Sequence, residues 1–294
     1  MDHCRNVAKR HQNPRFGQIE FTSFPVSAVG KTIGIRRLGR SSQFFPDSSD
    51  LDPTLVQDAE KLMKAFLLAA GQGTRLRPIT DTVPKCLVPI CGVPMLKIWM
   101  AICRNAGIDE VMINLHTHAD SVRSWLQANT NGVRLRLAEE TNLLGSAGTL
   151  LANRDWVASE SCFWILYADV LTNTSLHRML EFHLMRKPAA TLGLYQVPDP
   201  SRCGIVFFDD QMVIREFVEK PAQPMSRWAF SGVMIGTPEL LNQIPSRYPV
   251  DLGFDVLPRL VGQMLGYQIS DYLLDIGTME NYRAAQHTWP GLPA

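Results

Sequence analysis

The chain has 294 residues, of which 46% are hydrophobic, and its formal net charge is +1 at pH 7. This length is sufficient for one large core or two modest ones. A net charge so close to zero provides no long-range field, so we expect neither nucleic acid nor a membrane surface as a partner. No apolar stretch approaches the roughly 20 residues that span a bilayer, and none near Met1 is typical of a signal peptide.

Residues 1–62 differ in composition from the rest and show no sustained periodicity. Their first 45 residues contain only two acidic residues, Asp2 and Glu20. Such a segment is compatible with an organelle transit peptide, but a disordered tail, or an over-long gene prediction with its true start at Met63, is favoured. We therefore predict that residues 1–62 are a disordered or wrongly assigned extension and that residues 63–294 form the functional domain.

From Met63 onward, strand and helix patterns alternate. Residues 64–70 are an apolar run that ends at glycine, which is typical of a buried strand. Residues 94–106 carry an apolar stripe with helical spacing, and Gly107 follows as a stop signal. The further predicted elements of this part are strands at 110–115, 133–137, 163–168 and 189–196, and helices at 121–128, 146–154 and 176–186.

The pattern changes after residue 197. A hairpin is predicted from strands at 205–208 and 212–218, around Asp209 and Asp210. The remaining predicted elements are strands at 228–235 and 267–274, and helices at 238–244, 255–264 and 278–288.

This alternation predicts an α/β fold of the Rossmann-like, doubly wound class, with a mixed, mostly parallel sheet covered by helices on both faces. Ligands of such sheets bind beyond the carboxyl ends of the strands. Gly71, Asp169 and the pair Glu139-Glu140 all follow predicted strands. The sequence therefore places them at one shared site.

A glycine-rich turn follows the first predicted strand, with the sequence Gly71-Gln72-Gly73-Thr74-Arg75. Glycines allow backbone N–H groups to approach phosphate oxygens because no Cβ intervenes. Arg75 adds positive charge, and Lys85 follows between two prolines that stiffen its loop. Together these features predict a site for a nucleoside triphosphate (NTP).

Five motifs, in one order from about Met63 to the end, resemble those of the sugar-1-phosphate nucleotidylyltransferases, also called nucleotide-sugar pyrophosphorylases. The pattern is most similar to mannose-1-phosphate guanylyltransferase-like members, in a short form without a β-helix domain. The motifs are the glycine turn with Pro84-Lys85-Cys86-Leu87-Val88-Pro89, the loop Leu144–Thr149, Ala168-Asp169, Glu219-Lys220-Pro221 and Asp275-Ile276-Gly277-Thr278.

The resemblance implies a single GT-A-like nucleotidyltransferase domain that joins an NTP to a sugar 1-phosphate and releases pyrophosphate. It also implies a role for each motif. The expected catalytic residues are Arg75, Lys85, Asp169 and Lys220, with Mg²⁺ held by Asp169 and Asp275. The expected nucleotide-binding residues are Leu68, Ala70, Gly71, Gly73, Thr74, Arg75, Glu140 and Gly145. The expected sugar-phosphate-binding residues are Gly204, Glu219, Lys220 and Ser231.

Several alternatives remain open from the sequence. Lys85 alone could be a surface lysine, Asp275 could cap the helix that follows it, and Glu139 or Glu140 could be solvated. Glu140 favours GTP, because a carboxylate accepts from guanine N1–H and the exocyclic amine, so the expected product is of the GDP-mannose or GDP-heptose type. UTP or dTTP with glucose 1-phosphate is the rival substrate pair, and a non-catalytic nucleotide-sugar-binding regulatory subunit is a rival of another class.

Six cysteines occur without a Cys-x-x-Cys pair. In a chain of this length, that pattern favours reduced thiols over a disulfide framework, so we expect a cytoplasmic protein. The sequence leaves open whether the chain forms a homo-oligomer.

Overall fold

The computed structural model describes residues 63–129 and 132–293, so the prediction for residues 1–62 lies outside the described residues. In chain order, its strands are β1 Met63–Leu68, β2 Pro89–Ile90, β3 Val93–Pro94, β4 Ile108–Leu115, β5 Arg134–Glu139, β6 Phe163–Tyr167, β7 Val170–Thr172, β8 Ala190–Gln196, β9 Gly204–Phe208, β10 Ile214–Glu219, β11 Trp228–Gly236, β12 Met264–Gln268 and β13 Leu273–Asp275. Its helices are α1 Met95–Asn105, α2 Ala119–Ala128, α3 Ser146–Ala152, α4 Leu176–Arg186, α5 Pro238–Asn242 and α6 Met279–Thr288.

Strand β1 lies at the centre of the parallel part of the sheet. It pairs in parallel with β4 and β6, and β5 extends the parallel part beyond β4. Successive side chains of β1 point to opposite faces: Ala65 and Leu67 belong to one hydrophobic core and Phe66 to the other. The carboxyl ends of these strands meet at one edge of the sheet, which brings the loops that follow them together.

Strand β11 connects this parallel part to an antiparallel part. It pairs in the antiparallel sense with β6, β8 and β9. Within the described residues the main order is β10-β9-β11-β6-β1-β4-β5, and β8 and β12 extend the sheet beside β11. This mixed α/β sheet confirms the predicted fold class.

Helices cover both faces of the sheet. The apolar stripe of α1, which includes Leu96, Trp99 and Cys103, is buried in one core. Helix α3 contributes Ala147 and Leu150 to the core on the other face. In the part of the chain that the structure describes, no helix is both long and apolar enough to cross a membrane.

Two predicted elements near the end of the chain are wrong. The predicted helix at 255–264 is a π-helical turn, Leu252–Val256, followed by a 3-10 turn, Leu257–Leu260. Pro258 lies in the second turn and has no N–H with which to continue an α-helix. The predicted strand at 267–274 is two strands, because β12 pairs with β8 whereas β13 pairs with β7 in a separate small sheet.

Candidate active site

A cleft of about 270 Å³ opens at the carboxyl edge of the parallel strands. Seven of the predicted site residues line it: Leu68, Ala70, Gly71, Lys85, Glu140, Gly145 and Asp169. The other lining residues are Ala69, Cys86, Asn114, Leu143, Ser146, Tyr167 and Ala168.

The glycine turn begins where β1 ends and is fixed by two polar side chains. Asn114, at the end of β4, accepts hydrogen bonds through Oδ1 from the backbone N–H groups of Ala69, at 2.6 Å, and Ala70, at 3.2 Å. Further along, the hydroxyl of Thr80 donates to the carbonyl oxygen of Gly73 at 2.7 Å. Gly73 has φ of +66°, and a Cβ there would lie 2.9 Å from the Thr80 methyl group, so this turn requires glycine.

Glu140 is buried, and both of its carboxylate oxygens accept hydrogen bonds from the surrounding protein. Its Oε1 accepts from the amide of Asn114 at 2.9 Å and from the hydroxyl of Thr149, and its Oε2 accepts from the backbone N–H of Leu144 at 3.0 Å. Glu140 is only 7% exposed, so it is not the solvated charge that the sequence left open. Its neighbour Glu139 does lie at the surface, where it binds Arg123.

The loop that carries Gly145 is held against the backbone of Val250. Val250 N–H donates to the Leu144 carbonyl at 2.9 Å, and its carbonyl oxygen accepts from Ala147 N–H at 3.0 Å. Gly145 has φ of +82°, and a Cβ at this position would lie 2.3 Å from the Val250 oxygen. The close approach of these two backbones therefore depends on glycine.

The two aspartates proposed for metal binding lie side by side. Strand β13 pairs Asp275 with Val170, and the N–H of Ile276 donates to the carbonyl oxygen of Asp169 at 2.8 Å. Lys85 is mostly buried and forms an ion pair with the Asp169 carboxylate, so it is not a solvated surface lysine. The small sheet of β7 and β13 thus joins two motifs that are far apart in the sequence.

Arg75 reaches the same place from the glycine turn. A Cβ on Gly277 would lie 3.0 Å from Arg75 Nη2 and 2.8 Å from Asp275 Oδ1. The guanidinium group and the carboxylate therefore both lie against Gly277. Asp275 does not cap helix α6, because Thr278 accepts from the Asn281 N–H and fills that role. The Asp275 side chain is therefore available for another purpose.

The electrostatics of Asp275 fit a cation. Its Oδ1 is buried and has no hydrogen-bond partner within the described residues. Burial and then the nearby Asp169 carboxylate raise its pKa, while Lys85, Arg75 and a backbone hydrogen bond from Gly277 to the carboxylate oppose the shift. Asp169 and Asp275 together provide the hard oxygen ligands that Mg²⁺ prefers, and this ion commonly completes its coordination with substrate phosphates and waters. In the described part of the chain, no group of three or more potential ligands of the His, Cys, Asp and Glu type is found.

The predicted sugar-phosphate residues lie on the antiparallel part of the sheet and do not line the cleft. Glu219 on β10 pairs with Gly204 on β9, and a Cβ on Gly204 would lie 2.6 Å from Glu219 Oε2. Gly253 approaches the same oxygen, at 2.4 Å from its hypothetical Cβ. Glu219 Oε2 is thus held between two glycines, and burial raises the pKa of this carboxyl group.

Lys220 and Ser231 differ in their accessibility. Lys220 is exposed, has φ of +50°, and places Nζ 3.6 Å from Glu219 Oε1. Ser231 is buried, and its hydroxyl accepts from the N–H of Val233 at 3.1 Å, where the pairing of β11 with β8 is irregular. The structure therefore brings Lys220 to the Glu219 carboxylate and engages Ser231 within its own strand.

Sequence reasoning did not identify four residues that shape the site: Asn114, Tyr167, Asp251 and Gly253. Asn114 had a recognisable signal, because it is a buried polar residue near the carboxyl end of an otherwise apolar strand. The contributions of Asp251 and Gly253 arise from long-range contacts, and both residues lie just before the helix that was predicted at 255–264.

Known proteins resemble this chain over most of the described part. The family model for nucleotidyl transferases matches residues 64–290. The UTP--glucose-1-phosphate uridylyltransferase of Synechocystis sp. is 33% identical over 238 residues, which cover 75% of this chain and 61% of that protein. The mannose-1-phosphate guanylyltransferase catalytic subunit beta of Xenopus tropicalis is 30% identical over 226 residues, 75% of this chain and 62% of that protein.

A solved structure shows the same fold. HddC from Yersinia pseudotuberculosis, complexed with GMP-PN, has a TM-score of 0.66 and 23% sequence identity, covering 78% of this chain and 100% of that chain. The chain spans about three fifths of the length of the curated relatives described above.

Proposed function

The chain belongs to the nucleotidyl transferase family, and we propose that it transfers a nucleoside monophosphate from an NTP to a sugar 1-phosphate. A phosphate oxygen of the sugar 1-phosphate attacks the α-phosphorus, and the bond from that phosphorus to the bridging oxygen of the leaving group breaks. The products are an NDP-sugar and pyrophosphate. The observation that supports this proposal best is the convergence of Arg75, Lys85, Asp169 and Asp275 beside the glycine turn.

Two polyanions must meet in this reaction, so positioning and charge neutralisation are the protein's main tasks. Backbone N–H groups of the turn at Gly71 and Gly73, together with Thr74, bind the triphosphate. Arg75 faces the leaving pyrophosphate, where negative charge increases. Lys85 binds the α-phosphate or the incoming phosphate as a point charge.

Asp169 and Asp275 would hold Mg²⁺, and the structural support is the buried Oδ1 of Asp275, which has no hydrogen-bond partner among the described residues. When bound, the ion would lower the repulsion between the two reacting phosphates. The exposed ammonium group of Lys220 binds the sugar phosphate, and Glu219 accepts hydrogen bonds from sugar hydroxyl groups.

Nucleotide identity is the finer part of the proposal. GTP is favoured because Glu140, in the cleft wall, has one oxygen that accepts a single hydrogen bond from the described residues. A carboxylate oxygen accepts more than one, and guanine offers N–H donors. The named relatives use either UTP with glucose 1-phosphate or mannose 1-phosphate with a guanylyl donor, so a UDP- or dTDP-glucose pyrophosphorylase is the alternative.

The test is pyrophosphate release with Mg²⁺, in a matrix of four NTPs against mannose, glucose and heptose 1-phosphates. We expect turnover, with GTP preferred. Binding without turnover in every combination would contradict the proposed activity and favour a non-catalytic regulatory subunit. We further propose residues 63–294 as the functional domain and the cytoplasm as its location, where unlinked thiols such as Cys86 and Cys103 persist.

Lys85→Ala tests the role of the lysine within the same assay. We expect turnover to fall by roughly 10²–10³-fold, the range found when one preorganised electrostatic group is removed, with a much smaller effect on unfolding. Lys97→Ala, at an exposed position on α1, is the matched control and is expected to leave turnover unchanged. Full activity of the Lys85 variant would show that this residue does not bind the reacting phosphates.

A further inference from the structure

Residues 250–254 form a segment that contacts both the nucleotide loop and the sugar-phosphate residues. We call it the bridging segment. On the nucleotide side, its first residue, Val250, forms hydrogen bonds with Leu144, Ala147 and Gly148, at 2.9, 3.0 and 3.1 Å. These bonds fix the loop around Gly145 to the backbone of the segment.

Asp251 adds the side-chain contact between the bridging segment and the nucleotide loop. The hydroxyl of Ser146 donates to Asp251 Oδ2 at 2.9 Å and accepts from the N–H of Leu252 at 2.8 Å. The second oxygen, Oδ1, accepts from the N–H of Phe254 at 3.0 Å. One carboxylate therefore holds the nucleotide loop with one oxygen and shapes the following π-helical turn with the other.

The far end of the bridging segment contacts the sugar-phosphate residues. Gly253 lies so close to Glu219 that a Cβ would be 2.4 Å from Oε2. The ring of Phe254 lies 5.3 Å from the Lys220 ammonium nitrogen, within cation–π range. The position of the turn that begins at Asp251 therefore sets the surroundings of both Glu219 and Lys220.

We propose that Asp251 is a positioning residue that couples the nucleotide subsite to the sugar-phosphate subsite through the bridging segment. This inference rests on the proposed function. Nucleotide binding fixes the loop around Ser146, and the hydrogen bond from Ser146 then fixes Asp251 and the π-helical turn. In that turn, Gly253 and Phe254 hold Glu219 and Lys220 in position for the sugar phosphate. π-helical turns occur often at functional sites.

Coupling of this kind is a measurable and reciprocal quantity. If the nucleotide tightens sugar-phosphate binding by some factor, the sugar phosphate must tighten nucleotide binding by the same factor. For the wild-type chain, we expect a factor of at least about 5, the lower end of typical couplings. In Asp251→Ala and Ser146→Ala, we expect the factor to fall below about 2, with the affinity for the first ligand changed less than about threefold.

The experiment is isothermal titration calorimetry on the full chain with Mg²⁺. The probes are the α,β-methylene analogue of the NTP that turns over in the matrix and the sugar 1-phosphate of that pair. Each ligand is titrated alone and in the presence of the other. The double variant Ser146→Ala/Asp251→Ala completes a mutant cycle, and its loss of coupling is expected to equal that of either single variant, because both belong to one connection.

Asp209→Ala is the matched control. Asp209 also shapes a turn, by accepting from Gln211 N–H and Val213 N–H, but this turn joins β9 to β10 away from the cleft. We expect its unfolding temperature to fall while the coupling factor stays at the wild-type value. If the Asp251 variant does not fold, Ser146→Ala alone decides the question.

The outcomes separate this proposal from the proposed function. A wild-type chain that turns over no substrate pair overturns both. A wild-type chain that is active but binds the two ligands independently overturns the coupling alone. Folded Asp251 and Ser146 variants that retain the full wild-type coupling factor also overturn it.

Discussion

The nucleotide half of the cleft and the half around the aspartate pair treat a buried carboxylate in opposite ways. Glu140 accepts hydrogen bonds from Asn114, Thr149 and Leu144, so the fold itself satisfies its charge. Asp275 has a buried oxygen with no donor among the described residues, and its pKa is raised. The first carboxylate is held by hydrogen bonds from the fold, whereas the charge of the second is only partly offset by Lys85 and Arg75 among the described residues.

This difference indicates where stability and function diverge. Buried charge without full compensation is costly, and strongly perturbed carboxyl groups in a cleft are candidates for a functional role. Burial also raises the pKa of Glu219, so this carboxyl group resembles Asp275 and not Glu140. Removing the Glu140 charge is therefore expected to harm the fold, and removing the Asp275 charge is expected to harm activity.

Asp275→Asn is the strongest test of that contrast and has the largest expected effect. The amide keeps the size of the side chain but removes the charge proposed to hold Mg²⁺. We expect turnover to fall by at least about 10²-fold, while the free energy of unfolding at pH 7 stays the same or increases. Pyrophosphate release and thermal unfolding measure the two effects.

The pH dependence of the same variant supplies a second readout. Because the pKa of Asp275 is raised in the folded state, the folded protein binds this proton more tightly than the unfolded chain does. The destabilising contribution of this group therefore develops as the pH rises from the unfolded pKa through the raised value. The stability gained by Asp275→Asn is expected to be largest above that window and to vanish below it.

Asp271→Asn is the control for this experiment. Asp271 lies between β12 and β13, shortly before Asp275. It is exposed and accepts from the Thr174 hydroxyl at 2.9 Å. We expect near-normal turnover from it. If Asp275→Asn lowers the free energy of unfolding as well as turnover, Asp275 is a structural residue like Glu140.

Glu140→Gln tests the scaffold side of the comparison. Both oxygens of Glu140 accept, so an amide must direct its own N–H groups at one set of donors and leave a buried group unsatisfied. That costs about 1–3 kcal/mol, which lowers the unfolding temperature of a domain of this size by roughly 2–4 °C for each kcal/mol.

Glu139→Gln is the matched control, since Glu139 is the adjacent residue but is exposed. We expect its stability to change by no more than about 0.5 kcal/mol. If the two variants unfold at the same temperature, the hydrogen bonds of Glu140 do not stabilise the fold. The preference between GTP and UTP, measured on Glu140→Gln, also tests whether this carboxylate recognises the base.

The same contrast explains which parts of the site could be predicted from the sequence. The nucleotide half is built from parallel strands, and local hydrophobic patterns place Gly71 and Glu140, and also Asp169 of the aspartate pair, after strand ends. The carboxyl ends of such strands share one edge, so local patterns were sufficient to bring these residues together.

The convergence of the aspartate pair and the surroundings of Glu219 depend on contacts that local patterns do not contain. Asp275 lies beside Asp169 because β13 pairs with β7 and does not continue the pairing of β12 with β8. No local hydrophobic pattern specifies this change of partner. Gly253 meets Glu219 in a π-helical turn, Leu252–Val256, which begins before the helix that was predicted at 255–264. The motif resemblance supplied Asp275 and Glu219, but the backbone that holds them came from the structure.

Gly253→Ala has the smallest expected effect and tests whether Glu219 binds the sugar. The added methyl would lie 2.4 Å from Glu219 Oε2, the end of a flexible side chain, so we expect the chain to fold with the carboxylate displaced. Loss of about 1 kcal/mol of hydrogen bonding to the sugar corresponds to a roughly fivefold rise in the KM for sugar 1-phosphate. The KM for the NTP, measured at sugar 1-phosphate concentrations far below the KM for that substrate, is expected to remain unchanged, because the coupling acts only when both ligands are bound.

Gly266→Ala separates this effect from simple steric damage. Its methyl would also lie 2.4 Å from the end of a flexible side chain, that of Leu194, but on β12 and away from the cleft. We expect it to lower the unfolding temperature and leave both KM values unchanged. If Gly253→Ala raises the KM for the NTP as much as that for the sugar phosphate, the glycine shapes the whole cleft. A rise in the KM for sugar 1-phosphate alone would support a role of Glu219 in sugar binding. Displacement of its carboxylate would then affect one substrate and not the other.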